Sequence, residues 1–174
     1  MPKLDTAYLI VTGTGASEPV APQLIAGLVE RFPRVLTIPT PNAMRTLSLF
    51  ALSKLPGNHQ VVESYFDAAI LPRPADGLVL VAPCGFNSLN KLAWGAADNL
   101  ALSVTAEAIG RGTPVVVGIA CNTPLWAHPR AKESAATLRG WGCQVLDPVR
   151  DGERTILAPV GEILAAVDGA MVTQ

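Results

Sequence analysis

Gly77-Leu78-Val79-Leu80-Val81-Ala82 runs directly into Pro83-Cys84-Gly85-Phe86-Asn87-Ser88, and Pro114-Val115-Val116-Val117-Gly118-Ile119 runs into Ala120-Cys121-Asn122-Thr123-Pro124-Leu125-Trp126. Each is a short apolar run without polar alternation, followed by a small polar loop that carries an asparagine. Such runs fit strands buried on both faces, as in a parallel sheet with helices on either side. In an open parallel sheet, loops at the carboxyl ends of neighbouring strands line one crevice. These two loops are therefore expected to face a common ligand, with Gly95-Ala96-Ala97-Asp98-Asn99-Leu100 between them.

Outward from this centre, apolar runs keep alternating with helix-length amphipathic stretches, the pattern of βαβ units. Strands are expected at 7–12, 35–38, 77–82, 114–119 and 144–146, and helices at 19–32, 43–55, 88–94, 99–110, 129–139 and 160–167. The fold class is α/β, a flavodoxin- or Rossmann-like three-layer arrangement with helices flanking a parallel sheet. Asp98 or Asn99 can cap the helix that begins near Leu100, and Gly110 and Gly112 can stop it. Between Asn58 and Pro74 the pattern is indistinct: Val61-Val62 reads as extended, 65–71 as a helical turn or two, and Pro72 and Pro74 as terminators. The helix at 96–109 is apolar on more than one face, which either an oligomer contact or a deep monomer core would explain.

A chain of 174 residues that is 49% hydrophobic fits one domain, 1–174, with one buried core. The net charge of −1 leaves no excess of cations for a run of phosphates, which excludes nucleic acid as an expected partner. No stretch approaches the roughly 18 continuous apolar residues of a membrane span, and the apolar run before Gly13 is too brief for a signal-peptide core. A cytoplasmic protein without a membrane partner is expected. Cys84, Cys121 and Cys143 lack metal-ligand spacing, so no metal site is expected, and buried structural thiols are the ordinary outcome.

The first strand ends in Thr12-Gly13-Thr14-Gly15-Ala16-Ser17 just before a helix, the arrangement in which backbone N–H groups bind a phosphate. A dinucleotide fingerprint would require glycine at position 18, where Glu18 stands, and an acid about twenty residues on, whereas no Asp or Glu occurs between Glu30 and Glu63. A mononucleotide such as FMN fits better; a turn without a ligand is the bland alternative. Thr40-Pro41-Asn42 offers hydrogen bonds at the next helix start, or simply a cap. Asn87 and Ser88, with Phe86 beside them, suit the polar edge and flat face of an aromatic cofactor, or again a cap. His59 is read as an exposed turn residue and His128, before Pro129, as a cap or surface group.

In order along the chain these loops resemble those of the flavin-containing cysteine decarboxylases, the family of the phosphopantothenoylcysteine and lantibiotic peptidyl-cysteine decarboxylases. Pro83-Cys84-Gly85-Phe86-Asn87-Ser88 is similar to the family's Pro-Ala-Ser-Ala-Asn-Thr, and 93–100 to its Ala-x-Gly-x-Ala-Asp-Asn-Leu. Ile119-Ala120-Cys121-Asn122-Thr123-Pro124-Leu125-Trp126 resembles Pro-Ala-Met-Asn-x-x-Met-Trp. The resemblance covers about 7–167. It implies FMN held by Gly13, Thr14, Gly15, Thr40, Asn42, Gly85, Phe86, Asn87, Ser88, Asp98 and Asn99, with Ala120 close to the flavin. It further implies a homotrimer, or an assembly of trimers, with FMN at the subunit interface, and Asn122 on the substrate carboxylate.

Two departures accompany it. The family's catalytic histidine would fall at Ala68, with Asp67 beside it, which leaves Asp67, Tyr65 or a flavin atom to take up a proton. The family's substrate clamp is replaced by the short 147–159, without the cysteine that reduces the enethiol in pantothenate-pathway enzymes. The implied activity is FMN-dependent oxidative decarboxylation of a cysteine carboxylate, at the C-terminus of a peptide, stopping at the enethiol. The alternative is an FMN-binding protein of the same fold with a redox or regulatory role and no decarboxylase activity. A flavin prenyltransferase-like protein is disfavoured, because the region past Asn122 offers few paired basic residues for a second phosphate, with only Arg130, Lys132 and Arg139 nearby.

Overall fold

The computed structural model describes residues 4–70 and 77–172. Six strands form one parallel sheet: β1 (Thr6–Val11), β2 (Arg34–Pro39), β3 (His59–Val61), β4 (Leu78–Cys84), β5 (Val115–Ile119) and β6 (Gln144–Leu146). Their order is β3-β2-β1-β4-β5-β6. This is the doubly wound order, in which the chain moves outward from β1 on one side and from β4 on the other. Loops leaving β1 and β4 therefore diverge, and a crevice opens at their carboxyl ends.

The unbroken apolar runs are explained by burial on both faces. Ile10, Ile38, Val81 and Val117 enter one core layer with α4 (Phe86–Trp94), α5 (Leu100–Arg111) and α7 (Pro129–Gly140). Leu9, Val11, Leu80 and Val116 enter the other with α1 (Ser17–Val29) and α8 (Val160–Val172). Alternate side chains leave opposite faces of a strand, so a strand covered twice has no polar positions to spare. Gly27 lets α8 close on α1, since a Cβ there would meet Leu164 Cδ1 at 2.4 Å. Arg31 donates to both carboxylate oxygens of Asp168, at 2.8 and 3.2 Å, across the same contact.

The expected helix over 43–55 is two helices, α2 (Ala43–Thr46) and α3 (Leu49–Ser53). Leu47 and Ser48 are extended, and the Ser48 hydroxyl accepts from Ala51 N–H, capping the second helix in place of continuing the first. β4 continues through Cys84, where a loop was expected from Pro83. Pro83 has no N–H to give, and the β4–β5 register shifts between Val81 and Cys84. His59 stands in edge strand β3 and is half-buried, its Nε2 2.6 Å from Leu55 O, where an exposed turn was expected. A 3₁₀ turn follows at Ala68–Ile70, while Leu71, Pro72, Pro74 and the Ala75-Asp76 pair lie outside the described residues.

The 147–159 segment folds as an antiparallel hairpin of β7 (Val149–Asp151) and β8 (Arg154–Ile156). The sequence pattern also missed α6 (Thr123–Ala127), a short helix. Much of the apolar breadth of α5 is used within the chain, where Leu100, Ala101, Leu102, Val104 and Ala108 are buried. Asn99 caps α5 by accepting from Leu102 N–H, and Gly112, at φ +72°, ends it. Among the described residues no helix is long and apolar enough to cross a membrane.

Candidate functional site

The turn after β1 is fixed by two hydroxyls. Ser17, fully buried at the start of α1, donates to Thr12 O at 2.5 Å and accepts from Thr14 N–H at 3.2 Å. Thr12 reaches across to the next strand, where its hydroxyl donates to Pro83 O at 2.7 Å and accepts from Gly85 N–H at 2.9 Å. The ends of β1 and β4 are thereby held together where the sheet topology would let them part.

Two glycines allow the loops to close. A Cβ on Gly13 would lie 2.7 Å from Asn42 Cβ and 2.9 Å from the Asn42 carbonyl carbon, and one on Gly85 would lie 2.9 Å from Thr14 Cγ2. Gly15 differs: nothing lies within 4 Å of the position its Cβ would take, so that side of the loop is open. The loops enclose a cleft of about 570 Å³, within the roughly 300–1,000 Å³ of small-molecule sites.

Thr12, Gly13, Thr14 and Gly15 line it from the β1 loop, and Thr40, Pro41 and Asn42 from the β2 loop. Gly85, Phe86, Asn87 and Ser88 line it from the end of β4 and the first turn of α4, with Asp98 and Asn99 from the α5 start and Ala120, Asn122 and Leu125 from the β5 loop. The expected residues from five separate loops thus border one space. The capping alternatives divide. Thr40 Oγ1 accepts from Ala43 N–H at 3.4 Å, whereas neither α2 nor α4 has a side-chain cap from its N-cap residue, Asn42 and Gly85 respectively. Asn87 and Ser88 lie inside the first turn of α4.

Asn122 uses its Oδ1 to accept from Leu125 N–H at 3.0 Å, which caps α6 and leaves the amide Nδ2 as its donor. Asp67 is not brought to the cleft. Its carboxylate accepts from Ala69 N–H at 2.8 Å and faces Gln60 Nε2 at 3.3 Å, closing the 3₁₀ turn beyond β3. Within one chain, Asp67 is thus not among the residues that line the cleft with Asn122.

Lys91 was not foreseen, although it lies one helical turn after Asn87 and so on the same face of α4. It is the only basic side chain among the described residues lining the cleft, and it pairs with Asp98 at 2.5 Å. The hydrogen bond from Lys91 holds the Asp98 carboxyl below its ordinary range. Burial pushes the Cys121 thiol up to about 11, and Cys84, fully buried, is pushed higher still by desolvation and by its proximity to Cys121. Neither is a thiolate at neutral pH, so both behave as packing groups behind the cleft wall. His128 caps α7, accepting from Arg130 N–H at Nδ1, and its ring meets Phe86 edge-on at 5.4 Å. No cluster of metal-binding side chains occurs among the described residues.

A family model described as Flavoprotein matches residues 3–172. The coenzyme A biosynthesis bifunctional protein CoaBC of Mycobacterium tuberculosis is 33% identical over 129 residues, which are 72% of this chain and 30% of that protein. The chain thus spans under a third of that relative's length. Among solved structures, the FMN-binding protein AtHal3 superposes with a TM-score of 0.81 at 20% identity, over 99% of each chain. Peptidyl-cysteine decarboxylase EpiD superposes with a TM-score of 0.78 at 16% identity, over 98% of this chain and 99% of its own.

Proposed function

The chain belongs to the flavoprotein family, and from that premise we propose that its cleft holds FMN and serves the oxidative decarboxylation of a cysteine carboxylate, at the C-terminus of a peptide, to an enethiol. The observation that carries the reading is the convergence of five loops on one cleft, with Gly13 and Gly85 closing it and Gly15 leaving a cradle open. The donor set fits the group. The Gly13–Thr14–Gly15 turn with Thr40 and Asn42 suits a phosphate, Phe86 and Ala120 suit the faces of a flat ring, and Asn87, Ser88 and Asn99 suit its polar edge and chain.

When bound, FMN supplies the two-electron oxidation of the cysteine side chain to a thioaldehyde, after which the adjacent carboxylate leaves as CO2. The protein's share is positioning. Asn122, with Oδ1 committed to Leu125, directs its Nδ2 hydrogens to the substrate carboxylate. Asp67, held outside the cleft of its own chain, would take up the thiol proton only in the cleft of a neighbouring subunit, which accords with the homotrimer that the resemblance implies. The three free cysteines suit a reducing, cytoplasmic setting.

The test is to incubate the purified protein with FMN and peptides ending in cysteine and to follow peptide mass. Loss of the mass of HCOOH supports the reading, and Asn122→Ala should abolish that loss while the protein stays yellow. A protein that remains colourless with excess FMN refutes it. The position of Asp67 and the alanine at residue 68 favour one second reading, a flavin-binding protein without decarboxylase activity. A yellow protein inert towards every such peptide would support that one.

A further inference from the structure

The hydroxyl of Thr123 is saturated. A threonine hydroxyl has one hydrogen to give and two lone pairs to receive. Here Oγ1 donates to Glu153 O at 3.1 Å and accepts from Thr155 N–H at 3.0 Å and from Thr155 Oγ1 at 3.1 Å. All three bonds go to one object, the β7–β8 hairpin. That hairpin has three residue pairs, and its turn and much of β8 are exposed, with Asp151, Gly152, Glu153, Arg154 and Ile156 all facing solvent. A two-stranded hairpin of this size does not hold its shape in water alone, so its seat must come from elsewhere in the fold.

Thr123 is also the residue after Asn122, one peptide bond from the side chain that lines the cleft. It opens α6, a helix of five residues whose first turn is otherwise held by the Asn122 cap, by Trp126 N–H donating to Asn122 O at 2.9 Å and by the buried Trp126 side chain. A helix so short has little stability of its own. Bonds that reach this turn from outside the helix therefore add to what orients the Asn122 amide.

We propose that Thr123 is a positioning residue that fastens the hairpin to the Asn122 turn, so that the hairpin aims the Asn122 amide into the cleft. Only the turnover arm of the test rests on the proposed decarboxylation; the other arms do not. Thr123→Val keeps the shape and removes the hydroxyl, Thr123→Ser restores it, and Thr155→Val removes one of the bonds from the hairpin side without altering α6.

In full-length protein, Thr123→Val should raise trypsin cleavage after Arg150 and Arg154 about tenfold or more. It should also speed hydrogen exchange at the Leu125 amide, which reports the Asn122 cap. Thr123→Ser should match the wild type within about twofold, and Thr155→Val should fall between. FMN affinity, followed by flavin fluorescence, should change little, while kcat for a cysteine-terminated peptide falls and the flavin spectrum persists.

Unchanged Leu125 exchange in both Thr123→Val and Thr155→Val would overturn the proposal, even with faster hairpin cleavage, because the hairpin would then be seated without aiming Asn122. If Thr123→Val does not fold, an unchanged Leu125 exchange rate in Thr155→Val overturns it by itself. Failure of the wild type to bind FMN would instead remove the reading of the cleft, and the exchange and cleavage arms would still decide the role of Thr123.

Discussion

Replacing Thr12 by valine removes one buried hydroxyl and keeps the side-chain shape. The wild-type hydroxyl is 2% exposed at residue level and makes two bonds, to Pro83 O and from Gly85 N–H, that join the ends of the two central strands. Pro83 O keeps a second donor, Thr12 N–H at 3.3 Å, so the carbonyl is not stranded. Gly85 N–H loses its acceptor. Such a bond contributes about 1 kcal/mol net, and a donor left unsatisfied costs about 1–3 kcal/mol. Because Gly85 is only partly buried, the lower part of that range applies, and about 2 kcal/mol is expected. For a chain of this size that is roughly 4–8 °C in Tm.

The functional consequence should exceed the thermodynamic one, since Gly85 opens the cleft-lining turn of α4 and Thr12 is what holds it against the β1 loop. FMN affinity should fall at least tenfold. Urea denaturation of flavin-free protein measures the first effect, because bound ligand would mask it by mass action, and fluorescence titration with FMN measures the second. Thr12→Ser keeps both bonds and loses one buried methyl, worth about 1 kcal/mol, and should retain affinity. If Thr12→Val bound FMN as well as Thr12→Ser and was equally stable, the clasp between β1 and β4 would not be what shapes the site.

Gly13→Ala must push against the Asn42 backbone at 2.9 Å and should lower both stability and FMN affinity, whereas Gly15→Ala meets nothing within 4 Å and should lower affinity alone, its methyl entering the cleft. Equal effects of the two on urea midpoints would contradict the close approach of the loops. Cys121 and Cys143 are held up to about 11 by burial, against 9.0 unperturbed. The folded state then keeps protons that the unfolded chain releases, so stability is full below pH 9 and is lost between pH 9 and 11, by up to about 3 kcal/mol per thiol. Urea midpoints at pH 8 and 10.5 check this, and Cys143→Ala should flatten the slope. The Arg31–Asp168 pair is a quarter to half exposed, and a double-mutant cycle should give a coupling of about 1 kcal/mol or less that weakens with salt.

What the sequence made legible divides by the length of the signal. The four long apolar strands β1, β2, β4 and β5 and the four longest helices stood out because burial on both faces removes polar residues from the strands and caps such as Asn99 punctuate the helices. Edge strand β3 is only His59-Gln60-Val61, whose pairing with β2 is made by backbone and leaves no periodic trace. The break between α2 and α3 hinged on one hydroxyl, Ser48, choosing a backbone donor. The β7–β8 hairpin has three residues per strand, and its docking depends on Thr123, thirty or more positions away, a partner no local pattern can name.

The site was more legible than the fold's edges, and the reason is topological. In a doubly wound sheet, side chains just past the carboxyl ends of the central strands have to face one crevice, so Gly13, Asn42, Asn87 and Asn122 could be grouped from strand ends alone. Lys91 escaped because it lies beyond the strand end, a full helical turn into α4, where facing is set by helix rotation. Asp67 has a different origin: the resemblance placed it, not a strand end, and it lies beyond β3, the outermost strand, with β2 between β3 and β1. On the proposal that Asp67 serves the cleft of a neighbouring subunit, Asp67→Asn should leave FMN affinity of the protein unchanged while slowing turnover. Mixing Asp67→Asn with Asn122→Ala protein should restore activity if assembly pairs an intact Asp67 with an intact Asn122 from different chains, and no recovery after confirmed subunit exchange would exclude Asp67 from the reaction.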